Sequence, residues 1–218
     1  MKRRAFSLHL TGLAGAAALA GLARPGLALA QGRAPVAGKD YAQLKTPVPV
    51  TRDGKVEVVE FFWYACPHCF AFEPTLEPWV ARLPADVRFR RVPVAFDALK
   101  EVHQQIYYTW EVLGLVGQMH KKTFDRFHVQ RKPINREQDM LDFARESGLD
   151  VAKVKSAWES FSVHTRMREA TQLADDYQID GVPELGIAGR FTTSPADGGP
   201  AAALATTDYL VELVRKGG

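Results

Sequence analysis

Only two cysteines occur in 218 residues, and Cys66 and Cys69 stand three positions apart. That scarcity excludes a framework of structural disulfides. A bridge closing so short a loop removes little entropy from the unfolded chain, so a lone close pair points to redox or metal chemistry more than to stapling. A four-cysteine zinc site is excluded as well, because no second pair exists. An excess of one charge is also missing from most of the chain. The formal charge is +3 and the pI about 8.9, yet Lys2, Arg3, Arg4 and Arg24 all fall in the first 30 residues, which hold no acid. The remainder carries 24 Lys and Arg against 25 Asp and Glu. No nucleic acid or other polyanion is therefore implied as a partner. The length allows one principal domain, with room for an inserted subdomain.

A long hydrophobic run is absent too. The apolar stretch from about Leu10 to Ala23 falls short of the roughly 20 residues that span a bilayer, and Gly12, Gly15 and Gly21 weaken it as a helix. With the charged start Met1-Lys2-Arg3-Arg4 and the small residues of Ala28-Leu29-Ala30 before Gln31, it has the three parts of a cleaved export signal. Cleavage near Ala30-Gln31 is expected, leaving 31–218 as the mature chain. An uncleaved membrane anchor is the other reading of the same run. Lys2-Arg3-Arg4-Ala5-Phe6-Ser7-Leu8 loosely resembles a twin-arginine signal, but a general secretory signal opens with the same charges, so the export route stays open.

Past the leader, residues 31–50 are rich in Ala, Gly and Pro, with a short edge strand expected at Val48 to Thr51. Val56-Glu57-Val58-Val59-Glu60-Phe61-Phe62-Trp63 is β-branched and aromatic almost throughout, which suits a strand covered on both faces. Helical sequence runs from Pro67 to about Leu83, with Phe70, Leu76, Trp79 and Leu83 as its core candidates. Pro67 suits the first turn, whereas Pro74 and Pro78 predict a kinked or broken helix. Val87 to Val94 alternates as a second strand, ending irregularly at Pro93. Residues 97–178 carry helical periodicity with short breaks, enough for three to five helices. Asn135 and Gln138 resemble a capping pair, and Gly148 a stop. After Gly181-Val182-Pro183, a hairpin is expected to turn at Ala188-Gly189, and Asp208 to Lys216 reads as a closing helix.

The chemistry of the close pair follows from its setting between strand and helix. Disulfide exchange needs a thiolate, and a cysteine at a helix N-terminus meets unpaired N–H groups and the positive end of the dipole. Cys66 occupies that position. Cys69, one turn on, reaches the same sulfur, while His68 adds positive charge that favours the reduced thiolate form and so a more oxidising disulfide. A zinc site would need two more ligands, and His103, His120, His128 and His164 form no compact pair in the sequence. Each of the four reads as a surface or helix-packing residue.

The string from Glu60 to Glu73, centred on Cys66-Pro67-His68-Cys69, closely resembles the active-site segment of the DsbA periplasmic disulfide oxidases. Gly181-Val182-Pro183 resembles their cis-proline loop. The resemblance spans essentially the whole mature chain. It implies an α/β thioredoxin-like fold with an inserted helical subdomain at about 97–178. It further implies Cys66 as the exposed nucleophile, Cys69 as its buried resolving partner and His68 as the main tuner of potential. Val182 and Pro183 would pair with an extended substrate, and Glu60 would be the buried acid that relays a proton to or from Cys69. The plain reading of Glu60 is a solvated strand residue, and Arg91 likewise reads as solvated, although some relatives place a basic partner there. Glu184 and Gly186 depart from the small, apolar or aromatic residues common after that proline. Glu184 is expected to disfavour acidic peptides, and Gly186 to loosen local packing.

The resemblance implies a monomeric periplasmic thiol-disulfide oxidoreductase with no cofactor beyond its own disulfide. Its substrates would be newly exported proteins, and a quinone-linked inner-membrane partner of the DsbB type would reoxidise it. A reductase or isomerase of the same fold is the nearest alternative. About 25 residues separate the cleavage site from the first core strand, too few for the dimerisation domain of such isomerases. A thiolate metal-binding module is the rival from another class.

Overall fold

The computed structural model describes residues 33–51, 53–196 and 198–217. The leader and its cleavage site lie outside them. Among the described residues no helix is long and apolar enough to cross a membrane.

Strand β1 (Ala42–Gln43) is followed by β2 (Val56–Phe62), helix α1 (Pro67–Ala81) and β3 (Val87–Pro93). Five helices come next: α2 (Ala98–Val112), α3 (Val116–His128), α4 (Glu137–Glu146), α5 (Val151–Trp158) and α6 (Phe161–Asp176). Strands β4 (Glu184–Ile187) and β5 (Phe191–Thr193) and helix α7 (Pro200–Arg215) close the chain. The sheet order is β1-β5-β4-β2-β3, with β2 and β3 parallel and the other pairs antiparallel. All seven residues of β2 are buried, as a strand flanked by neighbours and covered on both faces must be. Val56 and Val58 pack with Phe72, Leu76 and Trp79 of α1 and Leu204 and Leu210 of α7. Val59, Phe61 and Phe62 instead join a larger core with Ile106, Trp110, Met119 and Phe124 of the helical block.

Burial of β2 includes two acids, and the parallel register supplies their partners. Glu57 lies opposite Arg88, and Glu60 opposite Arg91. Glu57 is paired 3.2 Å from both Arg88 and Arg90. Arg91 is itself 11% exposed at the side chain and sits 2.9 Å from Glu60, which is wholly buried. The solvated readings of Glu60 and Arg91 are therefore overturned: an acid in a doubly covered strand needs a basic partner beside it or must keep its proton.

Other local expectations are corrected by tertiary context. Helix α1 runs unbroken through Pro74 and Pro78, both exposed. Their missing N–H groups fall on the side away from the buried row Phe72, Leu76 and Trp79, which holds the helix in place. The edge strand is β1 rather than 48–51, where Val48 N–H only donates to Gly189 O at 2.7 Å. Helix α4 has Arg136 at its cap, without a side-chain hydrogen bond there, so Asn135 and Gln138 do not form the capping pair. Gly148 adopts φ 74° past the helix end, and Ala188 and Gly189 turn the β4–β5 hairpin at φ 53° and 67°. Helix α7 begins eight residues before Asp208.

Gly186 tightens the packing it was expected to loosen. A Cβ there would sit 2.5 Å from Cε1 of Tyr177, whose buried ring packs 5.2 Å from Phe61 and whose hydroxyl accepts a hydrogen bond from Gly189 N–H at 2.8 Å. Gly186→Ala is expected to cost about 1–3 kcal/mol of stability by overpacking, read by urea denaturation, with the redox potential unmoved. An Ala variant as stable as the parent would contradict this packing account.

Candidate functional site

Strand β2 ends at Phe62, and four residues later Cys66 begins helix α1. Cys66 has extended dihedrals (φ −77°, ψ 117°) and acts as the N-cap: its sulfur accepts a hydrogen bond from Cys69 N–H at 3.3 Å. Pro67 follows at the first helical position, where its missing N–H costs nothing. The two cysteines are not joined to each other. Cys66 keeps 5% exposure and Cys69 none, so the outer sulfur is reached through a narrow opening rather than standing free. Pro67 and His68 are exposed beside it.

These positions split the two thiols. Cys66 is lowered to about 6, chiefly by the hydrogen bond from the Cys69 thiol. Burial opposes this, while the N–H groups of Cys69 and His68 and the charge of His68 assist. Cys69 is pushed far above its ordinary value by burial first, then by its bond to Cys66 and that sulfur's charge. One sulfur is therefore a thiolate at neutral pH and the other a thiol.

Across the site lies the loop between α6 and β4. Val182-Pro183 is a cis peptide, and Val182 O lies 3.5 Å from Cys66 Sγ. The sequence motifs 116 residues apart thus share one opening. Pro183 O accepts a hydrogen bond from Ser194 Oγ at 3.0 Å, which ties the loop to the end of β5. Glu184, half-buried at the start of β4, has its carboxyl held above the usual range by burial, opposed by a hydrogen bond with Thr192.

Glu60 lies where its charge is felt at Cys69. Its carboxyl is raised to about 8, burial outweighing Arg91. Neither oxygen has a well-aligned hydrogen bond, although Arg91 Nε is 2.9 Å away. The proximity sets the charge interaction, while the orientation leaves the carboxyl unsatisfied.

Three of the four scattered histidines have a more definite place than their sequence suggested. Trp63 Nε1–H donates to His103 Nδ1 at 2.6 Å, Tyr64 OH is 3.0 Å from His120 Nδ1, and Tyr64 O is 2.8 Å from His128 Nε2. Helices α2 and α3 thereby clamp the two residues that lead into the cysteine motif. His164 is exposed on α6. Among the described residues no group of three or more His, Cys, Asp or Glu is arranged to hold a metal ion.

A model of the DSBA-like thioredoxin domain matches residues 93–202, which include Pro183 but not the cysteine motif. The thiol:disulfide interchange protein DsbA of Pseudomonas aeruginosa strain PAO1 is 42% identical over 211 residues, 96% of this chain and 97% of that protein. The chain belongs to the DsbA family. The DsbA of Azotobacter vinelandii is also 42% identical, over 82% of this chain and 84% of its own length. The crystal structure of Pseudomonas aeruginosa DsbA superposes with a TM-score of 0.81 at 41% identity, covering 84% of this chain and 96% of that one. The architecture is accordingly the α/β, DsbA-like form of the thioredoxin fold, with α2–α6 placed between β3 and β4.

Proposed function

We propose that this DsbA-family chain is a periplasmic dithiol oxidase, donating a Cys66–Cys69 disulfide to newly exported proteins through a mixed disulfide on Cys66. As a thiol-disulfide oxidoreductase it needs one good leaving sulfur and one that holds its proton. The observation carrying this reading is the divergence of the two thiols at one helix N-terminus. In the first step a substrate thiolate attacks Cys66 Sγ, a new S–S bond forms, and the Cys66–Cys69 bond breaks with its electron pair going to Cys69. That sulfur takes up a proton, because its affinity for one is high. Glu60, half or more protonated below about pH 8, is the proposed donor. In the second step another substrate thiolate attacks the substrate sulfur, and Cys66 leaves as the stabilised thiolate. The substrate leaves oxidised and the active site reduced.

Substrate backbone is proposed to lie along Val182 and Pro183, supported by the Val182 carbonyl that borders Cys66. No cofactor beyond the active-site disulfide enters this scheme. Reoxidation is assigned to a quinone-linked inner-membrane partner of the DsbB type, and the working form to a monomer. Periplasmic residence rests on the charged, apolar and Ala-x-Ala pattern of residues 1–30.

Equilibrating the couple against glutathione buffers tests the direction of flow. An oxidising potential supports the oxidase, and a strongly reducing one overturns it. The charge of His68 helps to lower Cys66, by less than the hydrogen bond from Cys69 does. His68→Ala is therefore expected to raise the Cys66 thiolate pKa by roughly half a unit and weaken the oxidant, measured by thiolate absorbance against pH. An unmoved titration would remove the tuning role from His68.

A further inference from the structure

Beneath the reactive pair, Arg91 serves three carboxylates at once. Its Nε is 2.9 Å from Glu60, and its Nη2 is 3.3 Å from Glu73 and 2.6 Å from Glu77. Five charge-assisted donors cannot satisfy three acids equally, so what else binds Glu73 decides what remains for Glu60. That other group is His120. Its ring is buried in α3, with Nδ1 3.0 Å from Tyr64 OH and Nε2 3.4 Å from Glu73 Oε1. The edge of this cluster opens on a groove of about 670 Å³ between α1 and α3, lined by Phe70, Pro74 and Phe124 as well as Glu73, Arg91 and His120.

Acid–base chemistry assigns the tautomer. Burial opposes ionisation of Glu73, but the hydrogen bond from His120 and the charge of Arg91 hold its carboxyl below the usual range. Burial likewise keeps the imidazole from protonating. A neutral ring facing a carboxylate must present N–H to it, since a bare ring nitrogen would set lone pair against anion. Nε2–H therefore donates to Glu73, and Nδ1 accepts from Tyr64 O–H.

We infer that His120 is a positioning residue for disulfide exchange: by donating to Glu73 it fixes how Arg91 is divided between Glu73 and the Glu60 carboxyl that serves Cys69. The functional consequence rests on the proposed role of Glu60, but the charge division does not. The ionisable groups around Glu60 are Arg91 from β3, Cys69, Glu73 and Glu77 from α1, and Tyr107 from α2. Around His120 stand Glu73, Glu77 and Arg91, with Tyr64 and Tyr107 against its ring, and Lys121 and Asp125 on the groove wall. Of these, Arg91 and His120 are the buried donors that reach Glu73, while Lys121 is exposed and paired with Asp125 and Glu77 adds a hydrogen bond to Glu73. Removing the His120 donor leaves Glu73 to draw Arg91 away, and Glu60 loses its principal countercharge.

The test is the titration of the Glu60 side-chain carboxyl by carbon NMR in the reduced full-length mature protein, with Glu60→Gln assigning the resonance. His120→Leu is expected to move the midpoint to higher pH by about one unit. His120→Gln, whose amide still donates towards Glu73, is expected to leave it in place. Glu73→Gln, with no anion to compete for Arg91, is expected to move it to lower pH. Should His120→Leu fail to fold, His120→Asn decides instead. It keeps an acceptor for Tyr64 but is too short to reach Glu73, and the same upward shift is expected. Equal losses of thermal stability in the Leu and Gln variants with an unmoved midpoint would overturn the inference and leave a packing role. The pH profile of peptide oxidation separates the two levels. If the midpoint moves as stated while Glu60→Gln leaves the rate profile unchanged, the charge division stands and the proton-donor role of Glu60 falls.

Discussion

Iodoacetamide is expected to modify reduced Cys66 at pH 5 about 20-fold faster than an unperturbed thiol, while Cys69 stays unmodified until the chain unfolds. With Cys66 lowered to about 6 and a free cysteine near 8.5, the thiolate fraction at pH 5 is roughly 300 times larger. The less basic sulfur is intrinsically the weaker nucleophile, which returns roughly a factor of 15. Near pH 7 the two effects almost cancel, so the lowered value matters most when Cys66 leaves. In the reduced protein it stabilises the dithiol state by about 1.4 kcal/mol at pH 7, or about 30 mV of oxidising power. Because the folded value lies below the unfolded one, this stabilisation is complete above about 8.5 and is lost as pH falls through about 6. Cys66→Ser is expected to reduce peptide oxidation to the uncatalysed background, since Cys69 is buried and holds its proton. Mass spectrometry of the alkylated protein across pH 4–9 reads the first result, and a fluorogenic dithiol peptide the second. Equal labelling of both cysteines would remove the asymmetry on which the mechanism depends.

That asymmetry was partly legible in the residues themselves. A continuous apolar strand running into Cys66-Pro67-His68-Cys69 places one cysteine at a cap and the other a turn inside, because Pro67 suits only the first helical turn. What the chain order does not show is which strands lie side by side. Arg91 follows Glu60 by 31 residues, and only the parallel register of β2 and β3 makes them neighbours. The same gap hid Glu73, whose partners come from β3 and α3, and the histidines of α2 and α3 that hold Trp63 and Tyr64. Gly186 is opaque in the sequence for a related reason. A missing side chain signals looseness only when nothing fills its place, and Tyr177 fills it. Pro74 and Pro78 mark the opposite case, in which a strong local rule was overruled by the buried face of the same helix.

Glu60→Gln is expected to stabilise the folded protein by roughly 4 kcal/mol at pH 7 and by little at pH 4. The folded carboxyl titrates at about 8, whereas in the unfolded chain it does so near 4.3. A raised acid favours the fold fully only below the unfolded value, and that advantage is lost as pH rises through the folded one. At pH 7 the native state must hold a proton that the unfolded chain has released, at a cost of about 1.4 kcal/mol per unit of pH above 4.3. An amide carries no such cost, and Arg91 keeps Glu73 and Glu77 as partners. For a mature domain of this size the gain corresponds to a rise of about 10 °C in Tm, measured by thermal unfolding at both pH values. A gain equal at pH 4 and pH 7 would show that packing, not protonation, is responsible. If Glu60 is the donor proposed for Cys69, the same substitution is expected to slow peptide oxidation at neutral pH. A buried acid that weakens the fold at neutral pH and speeds exchange is what a residue kept for chemistry should look like, since an apolar or amide side chain would serve stability better.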